Sequence, residues 1–271
     1  MEMLTSAGEC TKCTEGMYCE TEGLSAPTGW CDAGYYCGSG SNTPTPDATD
    51  GSYTGDHCLL REGTAVNDYC PPGHYCPEGS NAPTPCPNGT YSNTTHLEGA
   101  AQCLPCEAGF YCDEVALLEP YKECWAGYYC PEGTIVPKIP CTQGHYCPTG
   151  SKSPIDCEAG TYQNEKGRST CKTCPAGYYC EEQATNITEC PMGHYCLEGT
   201  EISTTYPCPL GTYNNITRLR AMNECFACPS AHYCDQEGLV NPVGLCSAGY
   251  YCGGGAASRT PDAEYGSYIG D

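Results

Sequence analysis

Large apolar side chains are thinly scattered along the chain, and no stretch approaches the 18 consecutive apolar residues that a membrane-crossing helix needs. The nearest thing to a helical run is EVALLEP at 114–120, with room for at most a single turn. The hydrophobic pattern that does recur is short: C-x-x-G-x-Y-C, flanked by prolines that suit extended connectors and short hairpins rather than helices. Its glycine is expected to permit a turn with positive φ, and its tyrosine ring to cover a disulfide that a small core leaves exposed.

Ten copies of this heptad begin at Cys13, Cys31, Cys70, Cys106, Cys124, Cys141, Cys174, Cys190, Cys228 and Cys246, and only Ala231 departs from the glycine. A second form lacks the closing cysteine: CPNGTY at Cys86, CEAGTY at Cys157 and CPLGTY at Cys208. Each of these runs on to a C-x-x-C pair, Cys103/Cys106, Cys171/Cys174 and Cys225/Cys228. A longer period lies above the short one. Residues 1–56 match residues 216–271 at an offset of 215, with 28 of 56 positions identical. The segment is therefore expected to be cut from a longer array of near-identical units, with Met1 inside a module. Expected divisions are 1–56, the end of one long unit with its insertion; 57–105, the first GTY region; 106–173 and 174–227, each a C-x5-C run with a GTY module; and 228–271, the start of the next unit.

Composition explains why the short pattern has to carry the fold. Leu, Ile, Val and Phe number 27 of 271 residues, too few for a conventional core, against 28 cysteines, 33 glycines and 23 prolines. Cross-links are expected to replace apolar burial, each closure of a loop of roughly 15 residues contributing about 3 kcal/mol. Thiols at this density point to an oxidising compartment and an extracellular destination. Four sequons agree, Asn88 (NGT), Asn93 (NTT), Asn186 (NIT) and Asn215 (NIT), so N-linked glycans are expected partners. The net charge of −22 argues against nucleic acid or anionic lipid as a partner and serves solubility.

The sequence C-x-x-GTY…C-x-x-C-x-x-G-x-Y-C resembles the ephrin-receptor-type cysteine-rich repeat, related in style to TNF-receptor and EGF-like modules, and the likeness runs along essentially the whole chain. It implies a small disulfide-rich fold: an extended tandem array of short β-hairpin and turn modules, with little helix and no conventional hydrophobic core. It also implies pairing of Cys86 with Cys103, Cys157 with Cys171, and Cys208 with Cys225. Within the C-x5-C runs a crossed pattern is open, for example Cys174 with Cys190 and Cys180 with Cys196, because sequence does not fix connectivity. Between Cys10 and its copy Cys225 the cysteine count is odd, 23 including Cys10. Cys58, inside the insertion, is the candidate for the leftover, either in an inter-chain or inter-repeat disulfide or as a free thiol.

Other chemistries read less well. The C-x-x-C pairs have zinc-ligand spacing, yet each runs straight into a C-x5-C motif, which suits disulfide laddering. His74, His145, His194 and His232 share one slot, but that slot also takes Tyr, Phe and Met, so packing explains it better than metal binding. Asp47, Asp50 and Asp56 are spaced loosely like a calcium loop, but Tyr265 replaces Asp50 in the copy, favouring a glycine turn. No phosphate loop, nucleophile elbow, HExxH or dinucleotide fingerprint is present, and neither an enzyme nor a cofactor is expected. The expected role is structural, a glycosylated element that self-associates into an extracellular filament, surface coat or mastigoneme-like appendage without inserting into a membrane. The alternative is a receptor or adhesion ectodomain with its ligand site in the insertion at 38–69, although the recurrence of that insertion at 253–271 favours architecture.

Overall fold

The computed structural model describes residues 11–21, 23–47 and 68–261. Among these, twenty-two strands of two residues each pair as eleven antiparallel hairpins. There is no α-helix there, and two short 3₁₀ turns, Ala100–Gln102 and Met222–Glu224, are the only helical backbone. The stretch 114–120 forms no helical turn, and Ala116 sits in the left-handed region at φ 58°.

One module illustrates how seven residues make the unit. After Cys174, the amide of Tyr178 donates to the carbonyl of Pro175 (3.2 Å), and Gly177 at φ 88° reverses the chain. Tyr178–Tyr179 then runs as a strand to Cys180, which bonds back to Cys174 across a Cα–Cα distance of 5.9 Å. The returning strand Thr188–Glu189 pairs with it, Tyr178 opposite Glu189 and Tyr179 opposite Thr188, and delivers the chain to Cys190.

All ten C-x5-C motifs close on themselves in this way. The crossed pattern is thereby corrected: Cys174 bonds Cys180 and Cys190 bonds Cys196. The cause is local, because the glycine turn folds six residues back until the two ends meet at bonding distance, leaving no need for a distant partner. The GTY modules, lacking a second cysteine, bridge further along the chain instead: Cys86–Cys103, Cys157–Cys171 and Cys208–Cys225. Cys10 and Cys58 lie outside the described residues.

The chain divides into two units, Met1–Cys124 with Cys130–Lys138, and Trp125–Tyr129 with Ile139–Asp271. Each is built from the same joint. In the first unit the glycine amides of Gly16, Gly34 and Gly89 donate to the carbonyls of Cys37, Cys76 and Cys112 in the following module. In the second, Gly160, Gly177 and Gly211 do the same to Cys180, Cys196 and Cys234. The return bond comes from the next module's first cysteine, as Cys190 to Gly177 (3.0 Å) and Cys208 to Gly193 (2.8 Å). Both backbone groups of each turn glycine are thus satisfied by the neighbouring module, which is why modules without a conventional core are held in register.

A second contact reaches two modules along. A Cβ added to Gly193 would lie 2.2 Å from the carbonyl oxygen of Gly238, and one on Gly16 would lie 2.4 Å from that of Gly79. The partner is always a residue at positive φ just past the second cysteine position of the farther module, including His96, Gln183 and Arg218 as well as glycines. Glycine suits these turns twice over, by adopting positive φ at little cost and by leaving the bare face against which another backbone lies.

Sulfur fills the centre. Nearly all the described half-cystines are buried, and beside them the buried apolar side chains are Leu97, Leu219, Ala256 and the prolines Pro46, Pro137 and Pro261. Apolar burial elsewhere is partial, so the fold depends on covalent closure and main-chain bonding more than on transfer of hydrocarbon from water.

Candidate interaction surface

In the three GTY modules, the slot that elsewhere holds the second cysteine is taken by Ser92, Gln163 and Asn214, all fully buried. Each reproduces the cysteine's main-chain bonds: the carbonyls of Ser92, Gln163 and Asn214 accept from Gly73, Gly144 and Gly193, and their amides donate to Leu117, Ala184 and Leu239. Their side chains then organise the loops that follow. Asn214 donates through Nδ2 to the His194 carbonyl (3.2 Å) and accepts from the Ile216 amide (3.0 Å). Gln163 donates through Nε2 to Thr170 (2.7 Å) and accepts from Glu165 (3.1 Å). Ser92 accepts from the Thr94 amide (3.2 Å). Sequence reading saw the missing cysteine but not its replacement, although a polar residue after each GTY was the available signal.

Replacing Asn214 by alanine is expected to cost about 2 kcal/mol, because two part-buried hydrogen bonds are lost and a fully buried side chain is truncated. Faster hydrogen exchange at Ile216 than in the parent checks this; unchanged exchange would contradict it.

The four sequon asparagines, Asn88, Asn93, Asn186 and Asn215, are all exposed. The histidine slot serves the turn: His74, His145, His194 and His232 each place Nδ1 within 2.8–3.3 Å of the carbonyl two residues earlier, where the Nδ1–H tautomer donates. His145 also approaches Asp156 through Nε2 (2.9 Å). Among the described residues no group of histidines, cysteines and carboxylates is arranged to hold a metal ion. The sulfurs of Cys103, Cys106, Cys171, Cys174, Cys225 and Cys228 are engaged in disulfides, so these C-x-x-C pairs offer no thiolates. Asp50 and Asp56 of the calcium reading lie outside the described residues.

Several cations are paired within their own modules. Lys122 donates to Asp113 (2.6 Å) and Glu114 (2.8 Å), bonds that hold its ammonium above the ordinary lysine range and the Glu114 carboxyl below its own. Lys172 (2.8 Å) and Arg168 together bring Glu165 down to about 2. Since this folded value is below the ordinary 4.5, the pair's stabilisation is present above pH 4.5 and lost as pH falls toward 2. An NMR titration of Glu165 with a midpoint far below 4.5, accompanied by loosening of the 163–173 loop in acid, is expected; an ordinary midpoint would refute the pairing.

Few of the described tyrosines are free on the surface. The tyrosines paired in hairpins are half-buried; Tyr18 lies over Gly29 of its partner strand, where a Cβ would meet the ring at 3.1 Å, and Tyr233 lies over Gly244 at 3.7 Å. Only Tyr121, Tyr250 and Tyr251 are exposed among the described tyrosines; the exposed apolar surface is instead dispersed over residues such as Trp30, Trp125, Ile202 and Leu245. No helix of the described residues is long and apolar enough to cross a membrane.

Residues 144–190 match the family described as tyrosine-protein kinase ephrin type A/B receptor-like. That stretch holds the GTY module closed by Cys157–Cys171, the following Cys174–Cys180 hairpin and the joint to Cys190. The same geometry recurs on both sides of it, so the chain is a tandem array of disulfide-bonded, cysteine-rich modules. No curated protein matches the chain significantly.

Proposed function

We propose that this array is a building element of an extracellular filament, surface coat or mastigoneme-like appendage, bearing N-linked glycans and associating with further copies of itself. The supporting observation is the joint: each glycine turn is completed by the next module and the one after it, so every added module presents the same site again. The 215-residue period supplies a larger unit of the same kind. The likeness of 144–190 to an ephrin-receptor-like module and the density of disulfides support export from the cell and a structural or ligand-binding role rather than a catalytic one.

Negative-stain electron microscopy of native material tests this reading. Filaments with a regular axial repeat are the expected result. Isolated particles that hold a soluble or cell-bound ligand would overturn it in favour of a receptor or adhesion ectodomain.

A further inference from the structure

Two of the sequon loops are built alike down to the side chain. In Ser92-Asn93-Thr94-Thr95-His96-Leu97 and Asn214-Asn215-Ile216-Thr217-Arg218-Leu219, the first and last residues are buried and the asparagine is exposed. The fifth residue stands at positive φ, 63° for His96 and 72° for Arg218, and donates its amide to the carbonyl of Cys70 or Cys190 (2.9 Å each). Its side chain then clamps an aromatic ring: His96 stacks on Tyr69 at 4.9 Å and meets Tyr35 edge-on at 5.1 Å, while the Arg218 guanidinium lies 5.0 Å above Tyr178. The leucine carbonyls accept from Cys76 (2.7 Å) and Cys196 (2.9 Å). Each asparagine thus stands exposed between two fixed anchors.

The third GTY loop follows the same path with different chemistry. Gln163 is the buried slot residue, Gly167 (φ 71°) takes the positive-φ position, and the Arg168 carbonyl accepts from Cys147 (2.9 Å). Asn164 is exposed at the equivalent place, but its Oδ1 accepts from Lys172 (2.8 Å), and Lys166 stands where the other loops have Thr95 and Thr217.

We infer that Asn93 and Asn215 are sites of N-linked glycosylation displayed from one equivalent, anchored loop, and that Asn164 marks the same position left bare by Lys166. In the transfer the asparagine amide nitrogen bonds to the anomeric carbon of a lipid-diphosphate-linked oligosaccharide. The carbon–oxygen bond to the diphosphate breaks, the amide gives up a proton, and the lipid diphosphate leaves. The sequon hydroxyl is needed at that step. In the folded loop both hydroxyls stay at the surface, Thr217 donating to Glu189 (3.0 Å) and Thr95 lying against His96 (2.9 Å). The inference rests on the reading of the array as an exported protein.

The test uses the full chain secreted from a eukaryotic host, digested after treatment with a glycosidase that leaves aspartate where a glycosylated asparagine stood. Aspartate is expected at 93 and 215 in most molecules and asparagine at 164. T95A and T217A each lose one oligosaccharide, T95S keeps it, and K166T, which creates an NET sequon, gains one at Asn164. Unmodified Asn93 and Asn215 in exported, fully disulfide-bonded protein would overturn the site assignment alone, and failure of K166T to gain a glycan would overturn the equivalence of the loops. Retention inside the cell with free thiols would instead remove the reading on which the inference rests.

Discussion

Reduction of the cystines under native conditions is expected to abolish the protease resistance of the array and its hairpin circular dichroism. A closed loop with a separation of 6 constrains the unfolded chain by about 2.4 kcal/mol, and one with a separation of 17 by about 3 kcal/mol. A handful of such bonds already matches the ~5–15 kcal/mol that holds a typical domain together. Little remains to compensate, since beside cysteine the buried apolar side chains among the described residues are Leu97, Leu219, Ala256 and three prolines, Pro46, Pro137 and Pro261. The main-chain joints persist only while the turns that offer them are closed, because two-residue strands are too short to survive alone in water. The measurement is limited proteolysis and circular dichroism before and after a mild reductant. Unchanged resistance and spectrum in a chain shown by intact mass to be fully reduced would mean that packing, not sulfur, maintains the modules.

How much of this could be read in the residues differs from feature to feature. The repeat, the turn glycine and the scarcity of helix follow from spacing and composition, since C-x-x-G-x-Y-C leaves few ways to place a cysteine, a turn and an aromatic within seven residues. Closure of Cys174 on Cys180 did not follow, because the alternative partner Cys190 has the same chemistry and only the actual path of the turn brings one pair to a Cα separation of 5.9 Å. The roles of Ser92, Gln163 and Asn214 were hidden for a different reason. Three unlike polar residues share no side-chain pattern, and what unites them is the backbone position they occupy between Gly73, Gly144 or Gly193 and the module beyond. Contact between modules two places apart leaves its trace only as a glycine, which φ alone already accounted for. Ala231, at φ 67°, shows that the turn itself tolerates a methyl group; the bare face is the further requirement.

That distinction sets the second large effect. Gly193→Ala is expected to destabilise the second unit locally by about 3 kcal/mol, combining about 1 kcal/mol for an L-residue at φ 79° with the displacement of backbone that a Cβ 2.2 Å from the Gly238 oxygen demands. No flexible side chain can yield there, since the obstructing atoms are the main chain of Gly238, whose amide is itself bonded to the Cys208 carbonyl (2.8 Å). Gly23→Ala is the control: its φ of 75° carries the same conformational cost, but among the described residues nothing lies within 4 Å of the added methyl, so about 1 kcal/mol is expected. In arrays coupled only to nearest neighbours a lesion weakens one interface. Here the module at Cys190 is tied both to the next module, through Cys208 to Gly193, and to the one after it, through the face against Gly238. Hydrogen exchange should therefore quicken at Cys208 and also at Gly238 in the Gly193 variant, while the Cys141–Cys147 hairpin keeps its protection. Loss confined to Cys208, or equal effects of the two substitutions, would show that the second-neighbour contact contributes nothing and that each module is held by its immediate neighbours alone.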